Sequence, residues 1–375
     1  VDFHFTRSDL ITAIFGLFND KTISVVIKLN DVFPENKGIL FANHARTGIK
    51  MGLQGLHLKS NSKVGVLVYN CHTVFESVKQ AGFIPVFIDV DDDYRMSIED
   101  LKRKSRNIDA LVVTHLFGIP APMDEILEIM DNKPVIEDCA HSFMVEYKGK
   151  KLGTYGDAGV FSFGQSKFPS AGEGGFVVFN NVELFDKSIM NNNLQKKSIH
   201  INLKQIIKSW ITAMLLSKFI YGLITLKLKN RFDSKFDVNN KFVFNESEVN
   251  KGFIAVLSKR LKKSDFHFNN QMKNVNMILD KLKHTRKIEF KYQPFFMVPV
   301  LSDDSEIILK IAKYKGIELG SHFNKSIEWA NNYDYTGDCP IAEQKIKNTI
   351  TIPCYYRLKD KEIIKYSNIF HENFN

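Results

Sequence analysis

The sequence predicts an α/β protein: a mostly parallel central sheet with helices on both faces, followed by a smaller α+β domain. Three observations carry this expectation. Short apolar runs alternate with helical-period runs between residues 64 and 137, the rhythm of βαβ units. Between Pro134 and Phe179, short apolar runs are separated by Glu137-Asp138, by Ser162 and Lys167, and by a glycine-rich turn. Open α/β sheets place their sites at such strand ends. The chain has 375 residues, enough for about two domains, expected at 1–243 and 244–375.

Taken in order, residues 9–18 have helical apolar spacing. Residues 41–48 read as a polar turn feeding a helix over 49–58, and the free N–H groups at its start suit a phosphate. Strands are expected at 64–68, 84–90, 110–115 and 135–137, with helices at 74–80, 98–106 and 123–130. Asp91, Asp92 and Asp93 read as a solvated turn rather than a metal site. Further on, a helix over 247–261 has Ser247 as its cap. A long helix to 282, a strand at 295–300 and helices at 306–314 and 358–370 complete the second domain.

Composition bounds the function. Hydrophobic content of 44% and charged content of 25% fit a soluble globular chain. Cys71, Cys139, Cys339 and Cys354 form no CxxC pair, so neither a zinc site nor a disulfide scaffold is expected. With no signal-peptide pattern at the start, a cytoplasmic location is the simpler expectation, possible contact with the inner membrane face aside. The net charge is +9, but Lys196 to Lys241 alone holds ten basic and two acidic residues. The basic character is therefore local, which argues against a broad nucleic-acid surface. Within this segment Leu203, Ile206, Ile207, Trp210, Ile211, Met214 and Leu215 form a helical apolar stripe. Two readings stand: a helical hairpin packed on the body, or a peripheral membrane contact.

The chemistry of the central stretch is specific. A primary amine forms an imine with an aldehyde cofactor, and Lys167 is the candidate. Asp138 is the candidate to hold a pyridine nitrogen protonated, so that the ring accepts electrons. Ser162 offers a hydroxyl to a cofactor phosphate. His115, alone at a strand end, reads as a satisfied core histidine.

The ordered set Asp138-Cys139-Ala140-His141, Ser162-Phe163-Gly164-Gln165-Ser166-Lys167 and Gly172-Glu173-Gly174-Gly175 resembles the DegT/DnrJ/StrS-type aminotransferases. Cys339-Pro340-Ile341-Ala342-Glu343 and Ile352-Pro353 resemble that family's C-terminal ending. The resemblance implies a type I pyridoxal 5′-phosphate (PLP) fold with Lys167 carrying the cofactor and Asp138 at its ring nitrogen. It places His141 near the ring or its phenolic oxygen, Ser162, Thr47 and Gly48 at the phosphate, and His72 or Tyr69 against the ring face. Arg46, Asn70 and Val74 depart from the family pattern, although the Arg46 guanidinium suits a phosphate. The implied activity is transfer of an amino group, with glutamate the expected donor, to a keto sugar, nucleotide-linked, for surface polysaccharide. A homodimer is implied as well. The alternatives are a sugar dehydratase, which in the family replaces the lysine by histidine, and a non-catalytic binding or regulatory protein.

Overall fold

The computed structural model describes residues 4–216, 243–286 and 290–372. Its strands are β1 (Gly38–Ala42), β2 (Lys63–Leu67), β3 (Ile84–Ile88), β4 (Ala110–Thr114), β5 (Val135–Asp138), β6 (Glu146–Tyr147), β7 (Lys150–Lys151), β8 (Ala158–Ser162), β9 (Gly175–Phe179), β10 (Met297–Leu301) and β11 (Thr349–Pro353). The first eight helices are α1 (Arg7–Gly16), α2 (Thr22–Val32), α3 (Ala45–Gly55), α4 (His72–Gln80), α5 (Ile98–Lys104), α6 (Met123–Met130), α7 (Val182–Met190) and α8 (Ile199–Leu215). Seven strands form one sheet in the order β1-β9-β8-β5-β4-β2-β3. Within it β2, β3, β4, β5 and β8 pair in parallel, and β9 pairs antiparallel with β1 and β8. Both β4 and β9 are buried along their whole length, as strands covered on both faces must be. The mostly parallel α/β architecture is therefore the one expected.

Where boundaries differ, local chemistry explains it. The helix expected at 49–58 starts earlier, because His44 is extended and Ala45 already turns into α3. The helix expected from Ser247 begins instead at Lys251, where the Asn250 side chain accepts from the Gly252 N–H at 2.9 Å. Ser247 is used differently: its carbonyl accepts from the Asn43 N–H at 3.2 Å, and it bridges Gln195. The acidic turn is closed by its own backbone: Asp91 accepts from the N–H of Asp93 and of Arg95 and pairs with the Arg95 guanidinium at 2.9 Å.

His115 is a core histidine. Its Nδ1 accepts from the Ala121 N–H at 3.1 Å, so Nε2 carries the proton and donates to Glu137, 3.1 Å away. Glu137 also accepts from the N–H groups of Gly153, Tyr155 and Gly156. This fully buried carboxylate thus fixes the turn that delivers β8.

Two apolar clusters hold the protein together. One surrounds the large sheet and includes Phe253, Ile254, Val256 and Leu257 of the helix Lys251–Leu261. The other gathers Val275, Ile278 and Leu282 of the helix Ser264–Arg286, β10, β11 and the helix Asp360–Glu372. A polar tie links the C-terminal part to the sheet: buried Asp89, just past β3, accepts from the N–H of Ile341 and of Ala342. It thereby caps the helix Pro340–Asn348 from outside the helix's own sequence.

Of the basic segment, α8 is described, and residues 217–242 lie outside the described residues. On α8, Ile206 and Ser209 are buried, whereas Ile207, Ile211, Met214 and Leu215 are exposed. No helix among the described residues is long and apolar enough to cross a membrane.

Candidate active site

The site forms where β4, β5 and β8 end. Asp138, the last residue of β5, is buried. One of its oxygens accepts from the Ala140 N–H at 3.1 Å, the other from the Thr114 hydroxyl at 3.2 Å. Thr114, at the end of β4, in turn accepts from the Asn70 amide at 2.8 Å. The Ser326 hydroxyl donates to the Asn70 carbonyl at 2.6 Å. Hydrogen bonds through the Asn70 backbone and side chain therefore connect Ser326 of the C-terminal part to this carboxylate. The departure at Asn70 has a physical use here that the sequence did not disclose. Burial raises the Asp138 pKa, and the Ala140 N–H, Lys167, Thr114 and His115 oppose the rise.

Lys167 lies in the loop after β8. That loop is pinned by Phe163 donating to the Gly174 carbonyl and by Ala171 donating to the Phe163 carbonyl. The Lys167 N–H closes on the Gly164 carbonyl at 3.2 Å. Burial of the ammonium lowers its pKa to about 8, against the opposing pull of Cys71 and Asp138. Lys167 and Asp138 thus lie within electrostatic reach of one another. His141 joins them. Burial, Lys167 and His322 push its pKa well below the usual histidine range, so the ring is neutral, and its Nδ1 is enclosed without a hydrogen-bond partner.

The opposite rim is built by the start of α3. Among the residues expected there, Arg46 lies within electrostatic reach of Glu173 and Cys71, and burial lowers its pKa. Thr47 is fully buried, and its hydroxyl donates to the Asn43 side chain at 2.9 Å. Gly48 faces the sheet: a Cβ there would stand 2.8 Å from Val177. Both residues therefore seat α3 on the sheet, while its N-terminus stays close to β9 because Gly175 has no Cβ to strike the Ala45 nitrogen. The Ser162 hydroxyl accepts from the Gly164 N–H at 3.3 Å and keeps its own proton to donate. His72 opens α4 beside Trp329, with ring centres 4.9 Å apart, and burial and Arg46 lower its pKa. Tyr69 is fully buried, edge-on to Phe117 with ring centres 5.9 Å apart. Val74 is buried as well.

Of the wall supplied by the C-terminal part, the sequence offers the loop Gly320-Ser321-His322-Phe323 as one that could approach a substrate, and sequence reasoning missed Phe296. Phe296 stacks on His141 at 4.2 Å, and the Lys167 Nζ lies 4.8 Å from the centre of the Phe296 ring. Phe323 lies parallel to His141 at 6.0 Å, and His322 packs between them. The signal for His322 and Phe323 was weak, a lone Gly-Ser-His-Phe loop; Phe296 read only as part of a strand.

Residues 33–209 match the model of the DegT/DnrJ/EryC1/StrS aminotransferase family. The match covers just under half of the chain. Among its relatives, a GDP-perosamine synthase of Escherichia coli O157:H7 is 33% identical over 169 residues, 43% of this chain and 46% of that protein. A UDP-4-amino-4,6-dideoxy-N-acetyl-beta-L-altrosamine transaminase of Campylobacter jejuni is 26% identical over 299 residues, 76% of this chain and 72% of that one. The chain therefore aligns with about half the length of the first relative and more of the second. A solved GDP-4-keto-6-deoxymannose-3-dehydratase with a trapped PLP-glutamate geminal diamine shares the fold at a TM-score of 0.75. It is 20% identical, with 99% of each chain covered. Aminotransferases of this family depend on PLP.

The side chains present fit that cofactor. An amine of lowered pKa, a buried carboxylate and an imidazole with an unpartnered nitrogen act on one another, and a serine hydroxyl and a guanidinium lie on the neighbouring elements. These are the groups that an aldehyde, a pyridine nitrogen, a phenolic oxygen and a phosphate require.

Proposed function

We propose that this chain is a PLP-dependent aminotransferase that moves an amino group from an amino-acid donor, glutamate first among them, to a nucleotide-linked keto sugar. The observation that carries this reading is the Lys167–Asp138 pair inside the family's motif frame. When bound, PLP supplies an electron-accepting ring that stabilises charge at the donor's α-carbon. Lys167 would hold the cofactor's aldehyde carbon and, once displaced there by the donor's own amine, would carry a proton between the donor's α-carbon and that carbon. The Asp138 carboxylate, oriented by Thr114 and the Ala140 N–H, holds the proton on the ring nitrogen. Ser162 and Arg46 take the phosphate, with the first turn of α3 beside them. Thr47 and Gly48 support that turn from behind. His72 would cover the ring face, and His141 would meet its phenolic oxygen.

The test is chemical. The purified protein, PLP and glutamate are incubated with keto-sugar nucleotides carrying GDP or UDP, and products are read by mass spectrometry. The expected result is an amino-sugar nucleotide with 2-oxoglutarate formed in equal amount. Loss of a hydroxyl without nitrogen gain would instead place the chain with the dehydratases, against which the presence of Lys167 rather than histidine speaks.

The same reading includes a homodimer, for which sedimentation velocity must show twice the chain mass. It also includes peripheral membrane contact through residues 196–241. The exposed Ile207, Ile211, Met214 and Leu215 on a basic segment support that contact. Co-sedimentation with vesicles containing anionic lipid is expected to fall when residues 196–241 are deleted. Equal recovery of both proteins would remove the membrane contact.

A further inference from the structure

The hydrogen bonds behind Asp138 all point one way, and Asn70 sets their direction. The Cys71 backbone N–H can only donate, and it donates to the Asn70 side-chain oxygen at 2.8 Å. The Asn70 amide nitrogen is therefore the atom turned toward Thr114, 2.8 Å from its hydroxyl oxygen. An amide N–H gives the Thr114 hydroxyl nothing to donate to, so its single proton goes to Asp138, 3.2 Å away. The other Asp138 oxygen meets the Ala140 N–H at 3.1 Å, again a group that only donates. Asn70, Thr114 and Asp138 are all buried, so solvent does not compete for the Thr114 proton.

The direction matters because burial works against the carboxylate. Loss of water favours the neutral acid and raises the Asp138 pKa. Hydrogen bonds donated to a carboxylate favour its charged form. A donor on each oxygen therefore opposes the burial. Asn70 is itself held at its backbone: its N–H donates to the Ser326 hydroxyl at 3.1 Å, and its carbonyl accepts from that hydroxyl at 2.6 Å. One fully buried serine of the C-terminal part thus sets the frame from which the amide points.

We propose that Asn70 is a positioning residue: by directing an amide N–H at Thr114, it commits the Thr114 proton to Asp138 and keeps that carboxylate an acceptor for the cofactor's ring nitrogen. It acts through Thr114. The inference rests on the aminotransferase reading above for the task of Asp138, and adds a residue that the reading leaves unused.

Infrared titration of the full chain without PLP tests it, with the protonated Asp138 carboxyl identified as the band missing in Asp138→Asn. In Asn70→Leu, similar in size but without the amide, Thr114 loses the group that orients it. Asp138 should then protonate at a pH higher by about one unit, the tenfold gain in proton affinity that one hydrogen bond to a charged group is worth. Thr114→Val should shift the titration at least as far, and Asn70→Leu should add nothing in that background. Asn70→Asp keeps the size and the bond from Cys71 but turns a second acceptor toward Thr114. PLP should dissociate from it about tenfold more readily. An unshifted Asp138 titration in Asn70→Leu, or an unchanged PLP affinity in Asn70→Asp, overturns the inference. So does a shift from Asn70→Leu that persists in the Thr114→Val background, which would mark a structural effect of residue 70 itself. Failure of the functional reading looks different: Asp138 still titrates as described, and the parent protein takes up no PLP.

Discussion

Lys167→Ala is expected to cost on the order of 10⁴-fold in amino transfer, the upper range for losing a positioned proton carrier, while the fold stays intact. The lysine sits in a loop held by backbone hydrogen bonds from Phe163 and Ala171, which the substitution leaves in place. Its side chain performs two tasks that no neighbour can take over. His141 and His322 are held neutral by burial, and Cys71 offers no amine. The visible absorbance of bound PLP near ~400 nm should disappear with it. Retained turnover within about tenfold would show that the amine is elsewhere.

The same residue sets a pH dependence whose sign is fixed. Lys167 attacks an aldehyde only as the neutral amine, and its pKa stands at about 8. Cofactor uptake by the apo protein should therefore quicken by about tenfold from pH 7 to pH 9 and level off above the pKa, whereas an ordinary lysine would keep gaining up to pH ~10. Stopped-flow absorbance after mixing with PLP reads this directly. A rate still climbing tenfold per unit at pH 9 would contradict the lowered pKa.

Asp138→Asn is the second large effect, roughly 100- to 1,000-fold on the rate, comparable to removing a preorganised electrostatic partner. Asparagine keeps the size and the bond from the Ala140 N–H, but it has one acceptor oxygen where Asp138 uses two, so its amide turns a donor toward Thr114. It lacks the negative charge that retains the ring proton. The loss should therefore fall on turnover far more than on protein stability, and PLP should be held more weakly. Thermal melting of the apo variant close to the parent, beside a large fall in kcat, is the expected pairing. An Asp138→Asn protein with parental kcat would remove the carboxylate from the mechanism.

Much of this was legible in the residues. Short, fully apolar runs such as ALVVT and FVVF declare buried strands, and their alternation with helical runs declares a parallel sheet. Lys167 and Asp138 were legible because each bears chemistry at a strand end within an ordered motif. His115 was readable as core because an isolated histidine on a strand is usually satisfied, and Glu137 and Ala121 do satisfy it. The phosphate rim was harder. Thr47 and Gly48 have the right identities, yet one helical turn directs them at Asn43 and Val177. A period of 3.6 residues makes each position one-sided, and which side faces the pocket is settled only by packing. Phe296 and Asn70 were not legible as site residues, and His322 only as part of a loop that could approach a substrate. Their partners lie far away in sequence, and aromatic or amide side chains are usually core or loop. The β6–β7 hairpin, with two residues in each strand, is too short to show a period.

The central claim is that one amine, Lys167, carries the cofactor. The most direct measurement is to load the protein with PLP, reduce it with borohydride, digest it and locate the added cofactor mass by tandem mass spectrometry. The account predicts that the mass appears on the peptide containing Lys167, and on that residue. Its appearance on another lysine, or on none in a protein that has demonstrably taken up PLP, would contradict it.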